Sequence, residues 1–169
     1  MGVLLTTDHM LMSRAFVKEQ DGSEIPADAP ERPVSEQPNL VTPHGLQLIE
    51  RRIRELQAQR DTAKQSEENS TVASIERDLR YWLKRKASAQ VVQAEPSPTK
   101  VRFGVRVKLR YEDGREQTFA LVGEDEADPA AGLISWASPI AQALLGCEVG
   151  NEPLLQGQRA EILELSPLT

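Results

Sequence analysis

Leu46, Ile49, Ile53 and Leu56 advance along the chain in steps of three, four and three residues, and Val72, Ile75, Leu79 and Trp82 repeat the same steps. That spacing gathers each set on one face of an α-helix. Only a short polar stretch containing Glu67 and Glu68 separates the two stripes, so the second helix must double back on the first. The pattern predicts an antiparallel coiled-coil hairpin with carboxylates at its tip.

The start of the hairpin is marked by Thr42 followed by Pro43. A threonine hydroxyl accepts from a free backbone N–H, and proline at the first helical position forfeits no hydrogen bond. The first arm is expected to reach about Ala63 and the second to run from about Ser70 to Ala89, which gives arms of roughly 20 residues and 30 Å. Eight seam side chains bury too little to offset the ordering of two such arms. The hairpin should therefore lean on a second module at its base, with Trp82 as its largest contact, and fray toward the tip.

Before the hairpin, residues 1–41 hold Pro26, Pro30, Pro33 and Pro38 among acidic and small residues, without apolar periodicity. This reads as a disordered or loosely docked leader. Met12 opens the more protein-like run MSRAFVKE, which suggests a start there in place of Met1. After the hairpin at 42–93, the prolines of 94–100 mark a linker. The period then changes to two. Val101, Phe103, Val105, Val107, Leu109 and Tyr111 alternate with charged residues, as in a half-buried strand. Glu112 to Gly114 should turn it back into a partner at Gln117 to Val122. The acidic run from Gly123 to Asp128 reads as a loop, Leu133 to Trp136 as a short strand, and Ser138–Pro139 as the start of a helix ended by Gly146. Brief strands near 153–155 and 160–165 complete an α+β domain over 101–169.

Charge narrows the function. The net charge of -6 disfavours a general nucleic-acid binder, because duplex affinity comes largely from cations that neutralise phosphates. Residues 46–90 carry ten Lys or Arg against seven Asp or Glu, and the remainder ten against nineteen, so a mildly basic arm projects from an acidic body. The single cysteine, Cys147, and two histidines offer neither an internal disulfide nor a thiolate metal site. With no long apolar segment, the expected setting is the cytoplasm, without a membrane partner.

The run from Val101 to Gly150 resembles the C-terminal domain of bacterial Gre-type transcription elongation factors, GreA and GreB. Phe103 and Gly104 carry the likeness, followed by Val122, Gly123, Asp125, Glu126 and Asp128, then Ile134, Ser135, Ser138, Pro139, Ala141, Leu144 and Gly146. Val41 to Gly45 (VTPHG) is similar to the family's entry into its first coiled-coil helix. The resemblance implies an N-terminal coiled-coil hairpin followed by a small FKBP-like antiparallel β domain with one short helix. It also implies docking of a monomer at the secondary channel of bacterial RNA polymerase, with nucleic acid met only through the transcription complex. Asp125, Glu126, Asp128, Ser135, Ser138 and Pro139 become the polymerase-docking candidates.

In that family an acidic tip helps hold magnesium in the polymerase active centre and promotes cleavage of backtracked RNA. Family tips set an Asp and a Glu three residues apart; here the nearest run is SEENS at 66–70, and Asp61 lies six residues before Glu67. The arms also look shorter than the family's, and each lost turn withdraws the tip by about 5 Å. Asp61, Glu67 and Glu68 are the tip candidates. The expectation is a non-enzymatic regulator without a cofactor of its own and without strong cleavage stimulation, sharing at most the polymerase's Mg2+. A cleavage factor acting through those carboxylates is the alternative. A prolyl isomerase follows only from the implied fold, and a self-associating hairpin is a further reading.

Overall fold

The structure, a computed structural model, describes residues 30–168. Residues 1–29, and with them the start at Met12 and most of the leader, lie outside the described residues. Helices α1 (Pro43–Gln65) and α2 (Asn69–Ser88) form the hairpin. Lys86 pairs with Glu50 at 2.9 Å near the base and Lys64 with Glu76 at 3.5 Å near the tip, which fixes the two helices as antiparallel. Ile49, Ile53, Leu56 and Leu79 are buried in the seam with Val41, while Val72 and Ile75 nearer the tip are only partly covered. Ala63, close to the tip, is nevertheless buried, and Leu46 and Trp82 near the base are only partly so.

Residues 105–167 build a five-stranded sheet in the order β5-β4-β3-β7-β6. Its strands are β3 (Val105–Tyr111), β4 (Glu116–Val122), β5 (Leu133–Ser135), β6 (Leu154–Leu155) and β7 (Gln158–Pro167). Val105, Val107, Leu109 and Tyr111 face inward onto Phe119, Leu121, Ile134, Ile162 and the helix α3 (Pro139–Leu144), so the period of two does set the core face. Ser138 caps α3 by accepting from the Ala141 N–H at 3.3 Å, as its position before proline predicts.

Three expectations need correction. The sheet is mixed, since β5 runs parallel to β4 after a crossover through two 3-10 turns, where an antiparallel domain was expected. The strand expected from Val101 begins only at Val105, because the chain turns over 102–105, with Gly104 at a left-handed φ of 78° and the Val105 N–H donating to the Arg102 carbonyl at 3.2 Å. The end of the leader, expected to be disordered or loosely docked, is docked by a short strand. Leu40–Val41 (β1) pairs in parallel with Gln90–Val91 (β2), so the chain entering the hairpin and the chain leaving it are stitched together at its base. Two-residue strands leave almost no period to read.

Candidate functional site

The acidic run read as a loop is the joint of the molecule. Glu124–Glu126 form a 3-10 turn between β4 and β5 that faces the start of α1 and the end of α2. An antiparallel hairpin brings those two helix ends together, one exposing backbone N–H groups and the other rich in cations. Carboxylates suit both. Glu126, 7% exposed, receives the Thr42 hydroxyl at 2.7 Å and stands 3.1 Å from His44 Nδ1. The same hydroxyl oxygen accepts the Gly45 N–H at 2.8 Å. A Cβ on Gly45 would lie 2.7 Å from a Glu126 oxygen, so this helix turn needs its glycine for close approach rather than for an unusual φ.

At the other helix end, Arg85 is 1% exposed and donates through Nε to Asp125 and through Nη2 to Glu124 at 3.2 Å. Tyr81, one turn earlier, donates its hydroxyl to Asp125 at 2.8 Å. Trp82 was expected to be the main base contact; it is only partly buried and packs on the seam, while Tyr81 and Arg85 reach the globule. A shift of one position turns a helical side chain by 100°, which separates the seam stripe from the stripe that grips the joint. Neither Tyr81 nor Arg85 was predicted as a site residue. Their signal was the spacing of four on a face off the apolar stripe.

Burial and the bond to Asp125 push the Tyr81 phenol up to about 12. The folded chain then holds this proton through a pH range in which the unfolded chain has lost it, so stability is independent of this group below about pH 10 and falls between about 10 and 12. Tyr81→Phe removes that titration. The stability advantage of the parent chain over Tyr81→Phe, read from urea unfolding at stepped pH, should shrink by up to about 2 kcal/mol across that window. A constant advantage from pH 9 to 12 would refute the assignment.

Of the other docking candidates, Asp128 caps a second 3-10 turn by accepting from Ala130 N–H at 3.2 Å. Ser135, Ser138 and Pro139 lie together elsewhere on the globule. They line a depression of about 530 Å³ whose walls include Tyr111, Phe119, Ile134, Ile140 and Leu155. The structure therefore divides the six candidates. Asp125 and Glu126 bond to the hairpin, Asp128 shapes a turn, and the last three share an apolar hollow ringed by hydroxyl and amide groups, a shape suited to receiving side chains of another protein.

The tip candidates are not gathered. Glu67 sits at the apex with a left-handed φ of 57°, and Glu67 and Glu68 donate their N–H groups back to Lys64 and Ala63 at 3.4 and 3.2 Å. That is the Schellman closure of a helix with glutamate where glycine is usual, a conformation costing about 1 kcal/mol. Both glutamates are exposed. Asp61 points its carboxylate to Arg60 at 3.1 Å. Among the described residues no group of three or more His, Cys, Asp or Glu stands where it could hold a metal ion, and no helix is long and apolar enough to cross a membrane.

A helical hairpin seated on a small mixed-sheet domain by its acidic turn defines the build of this protein. Residues 95–165 match the family described as transcription elongation factor, GreA/GreB, C-term. The globular domain is thus similar to the C-terminal domain of Gre-type elongation factors. It is 43% identical over 83 residues to transcription elongation factor GreB of Neisseria meningitidis, covering 48% of this chain and 51% of that one. It is 40% identical over 90 residues to GreA of Nitratidesulfovibrio vulgaris, covering 52% and 55%. The chain thus spans about half the length of the curated relatives it matches. A solved GreA/GreB factor from Nitrosomonas europaea is similar over 75% of this chain and 98% of its own, at 22% identity and a TM-score of 0.36. The GreA factor homolog of Thermus thermophilus is similar over 76% and 99%, at 20% identity and a TM-score of 0.37.

Proposed function

We propose that this chain binds bacterial RNA polymerase and regulates transcript elongation from the secondary channel, with an FKBP-like globule docking at the rim and the hairpin, a short coiled coil, entering as a probe. The match of residues 95–165 to the GreA/GreB C-terminal family carries this reading. The hollow around Ser135, Ser138 and Pro139 supports it, since it offers apolar walls and a polar rim on the globule. The protein acts without catalysing a reaction of its own, as a monomer, and meets nucleic acid only through the complex.

The hairpin works by occupying the channel more than by delivering metal. α1 has 23 residues and so spans about 35 Å. Its apex presents Glu67 and Glu68 without Asp61 beside them, so any Mg2+ they touched would need further ligands from the polymerase. Cleavage of backtracked RNA is the second reading, favoured by the exposure of those two glutamates. Purified chain should bind core polymerase at micromolar concentration or below. Added with magnesium to a stalled, backtracked complex, it should release no short 3′ RNA beyond the polymerase's own background. Absence of binding overturns the proposal, and released fragments that vanish in Glu67→Gln with Glu68→Gln would establish the second reading instead.

A further inference from the structure

The stretch from Glu31 to Val41 runs beside α2 in the same direction and is fastened to it at successive levels. Glu31 accepts from Arg80 Nε and Nη2 at 2.9 and 2.6 Å. The Arg32 guanidinium lies 3.8 Å from the centre of the Tyr81 ring and 5.6 Å from that of Trp82, within cation–π range of both. Buried Asn39 donates through Nδ2 to the Arg85 carbonyl at 2.7 Å and to Ser88 Oγ at 3.1 Å. Leu40 and Val41 then pair with Gln90 and Val91.

Of the residues touched, Tyr81, Arg85 and Ser88 are spaced four and three apart and form one stripe of α2. Two of them are the residues that hold the globule. Arg32 covers the ring of the tyrosine whose hydroxyl binds Asp125, and Asn39 takes the carbonyl of the arginine whose guanidinium binds Asp125. The stretch also abuts the globule directly, since a Cβ on Gly123 would lie 2.6 Å from the Leu40 carbonyl oxygen.

We propose that residues 31–41 are a strap that sets how firmly the hairpin is held on the globule, anchored permanently at Asn39–Val41 and releasable at the Glu31–Arg32 clip. The division follows from burial. Asn39 and Val41 are 4% and 3% exposed, whereas the Glu31 and Arg80 side chains are each 51% exposed, and an exposed ion pair opens readily. Opening the clip uncovers Tyr81 and loosens its grip on Asp125. The inference holds whether or not the chain binds polymerase.

Amide hydrogen exchange on the full chain tests it. Arg32→Ala should raise exchange about threefold or more at 123–127, with β3 and β4 unchanged. Glu31→Arg should act alike, and Arg80→Glu added to it should restore protection by re-forming the pair in reverse. Faster exchange confined to 30–38, with 123–127 as in the parent chain, overturns the strap. If Arg32→Ala exchanges faster throughout, the milder Glu31→Gln decides by the same criterion: an effect at 123–127 supports the strap and its absence there overturns it.

Discussion

Arg85→Met should destabilise the chain by about 3 to 5 kcal/mol, the largest single-residue effect expected outside the hydrophobic core. The guanidinium is 1% exposed and its partner Asp125 has a side chain 9% exposed, so the substitution strands a carboxylate away from water that still accepts from the Tyr81 hydroxyl. Breaking one side of a buried pair costs more than the pair contributes, because the surviving charge keeps its desolvation penalty. The double variant Arg85→Met with Asp125→Asn removes that stranded charge and should recover a large part of the loss. Arg85→Lys keeps the charge but cannot reach Asp125 and Glu124 with one planar fork, and should fall between parent and Met. Urea unfolding of the parent, Arg85→Met, Asp125→Asn and the double variant measures the coupling, with Arg85→Lys run alongside. A loss below about 1 kcal/mol for Arg85→Met would show that the joint is not held by this pair.

What the residues disclosed in advance was local. The period of three and four over Leu46–Leu56 places the seam because a helix shows its burial pattern in its own sequence, and the same is true of the alternation in Val105–Tyr111. Thr42–Pro43 and Ser138–Pro139 announce their helices because a cap acts within three residues. The joint was illegible for the opposite reason. Glu126 meets Thr42 across 84 positions and Arg85 meets Asp125 across 40, and nothing in GEDEAD read alone separates a gripping turn from a solvated one. The leader read as disordered or loosely docked, and where its end docks left no trace, because Arg32 is held through a stacked guanidinium that follows no period. The tip shows the limit of motif reading, since Asp61 and Glu67 are near in sequence yet a helix keeps Asp61 on its shaft while Glu67 occupies the apex.

The hollow on the globule yields the sharpest functional expectation: Pro139→Glu should weaken binding to core polymerase by about thirtyfold, or 2 kcal/mol, while leaving the fold intact. Pro139 is exposed at the first position of α3, where the helix N-terminus favours an acidic side chain. Losing proline's fixed φ costs under about 1 kcal/mol there, since the Ser138 cap to Ala141 remains. The folding effect is small and the docking effect is not. A carboxylate at the edge of walls made by Phe119, Ile134 and Leu155 loses its water when a partner covers the hollow, and no cation lies among the hollow's lining residues except Arg115. Glu67→Gln with Glu68→Gln serves as the matched control, because those side chains stand at the far end of the hairpin and contribute nothing to a rim contact. Fluorescence anisotropy of the labelled chain against polymerase, alongside urea unfolding of each variant, separates binding from folding. Unchanged affinity for a folded Pro139→Glu chain would move the docking surface off this hollow, and a loss in the tip variant equal to that of Pro139→Glu would mean that the finger, and not the globule, supplies the affinity.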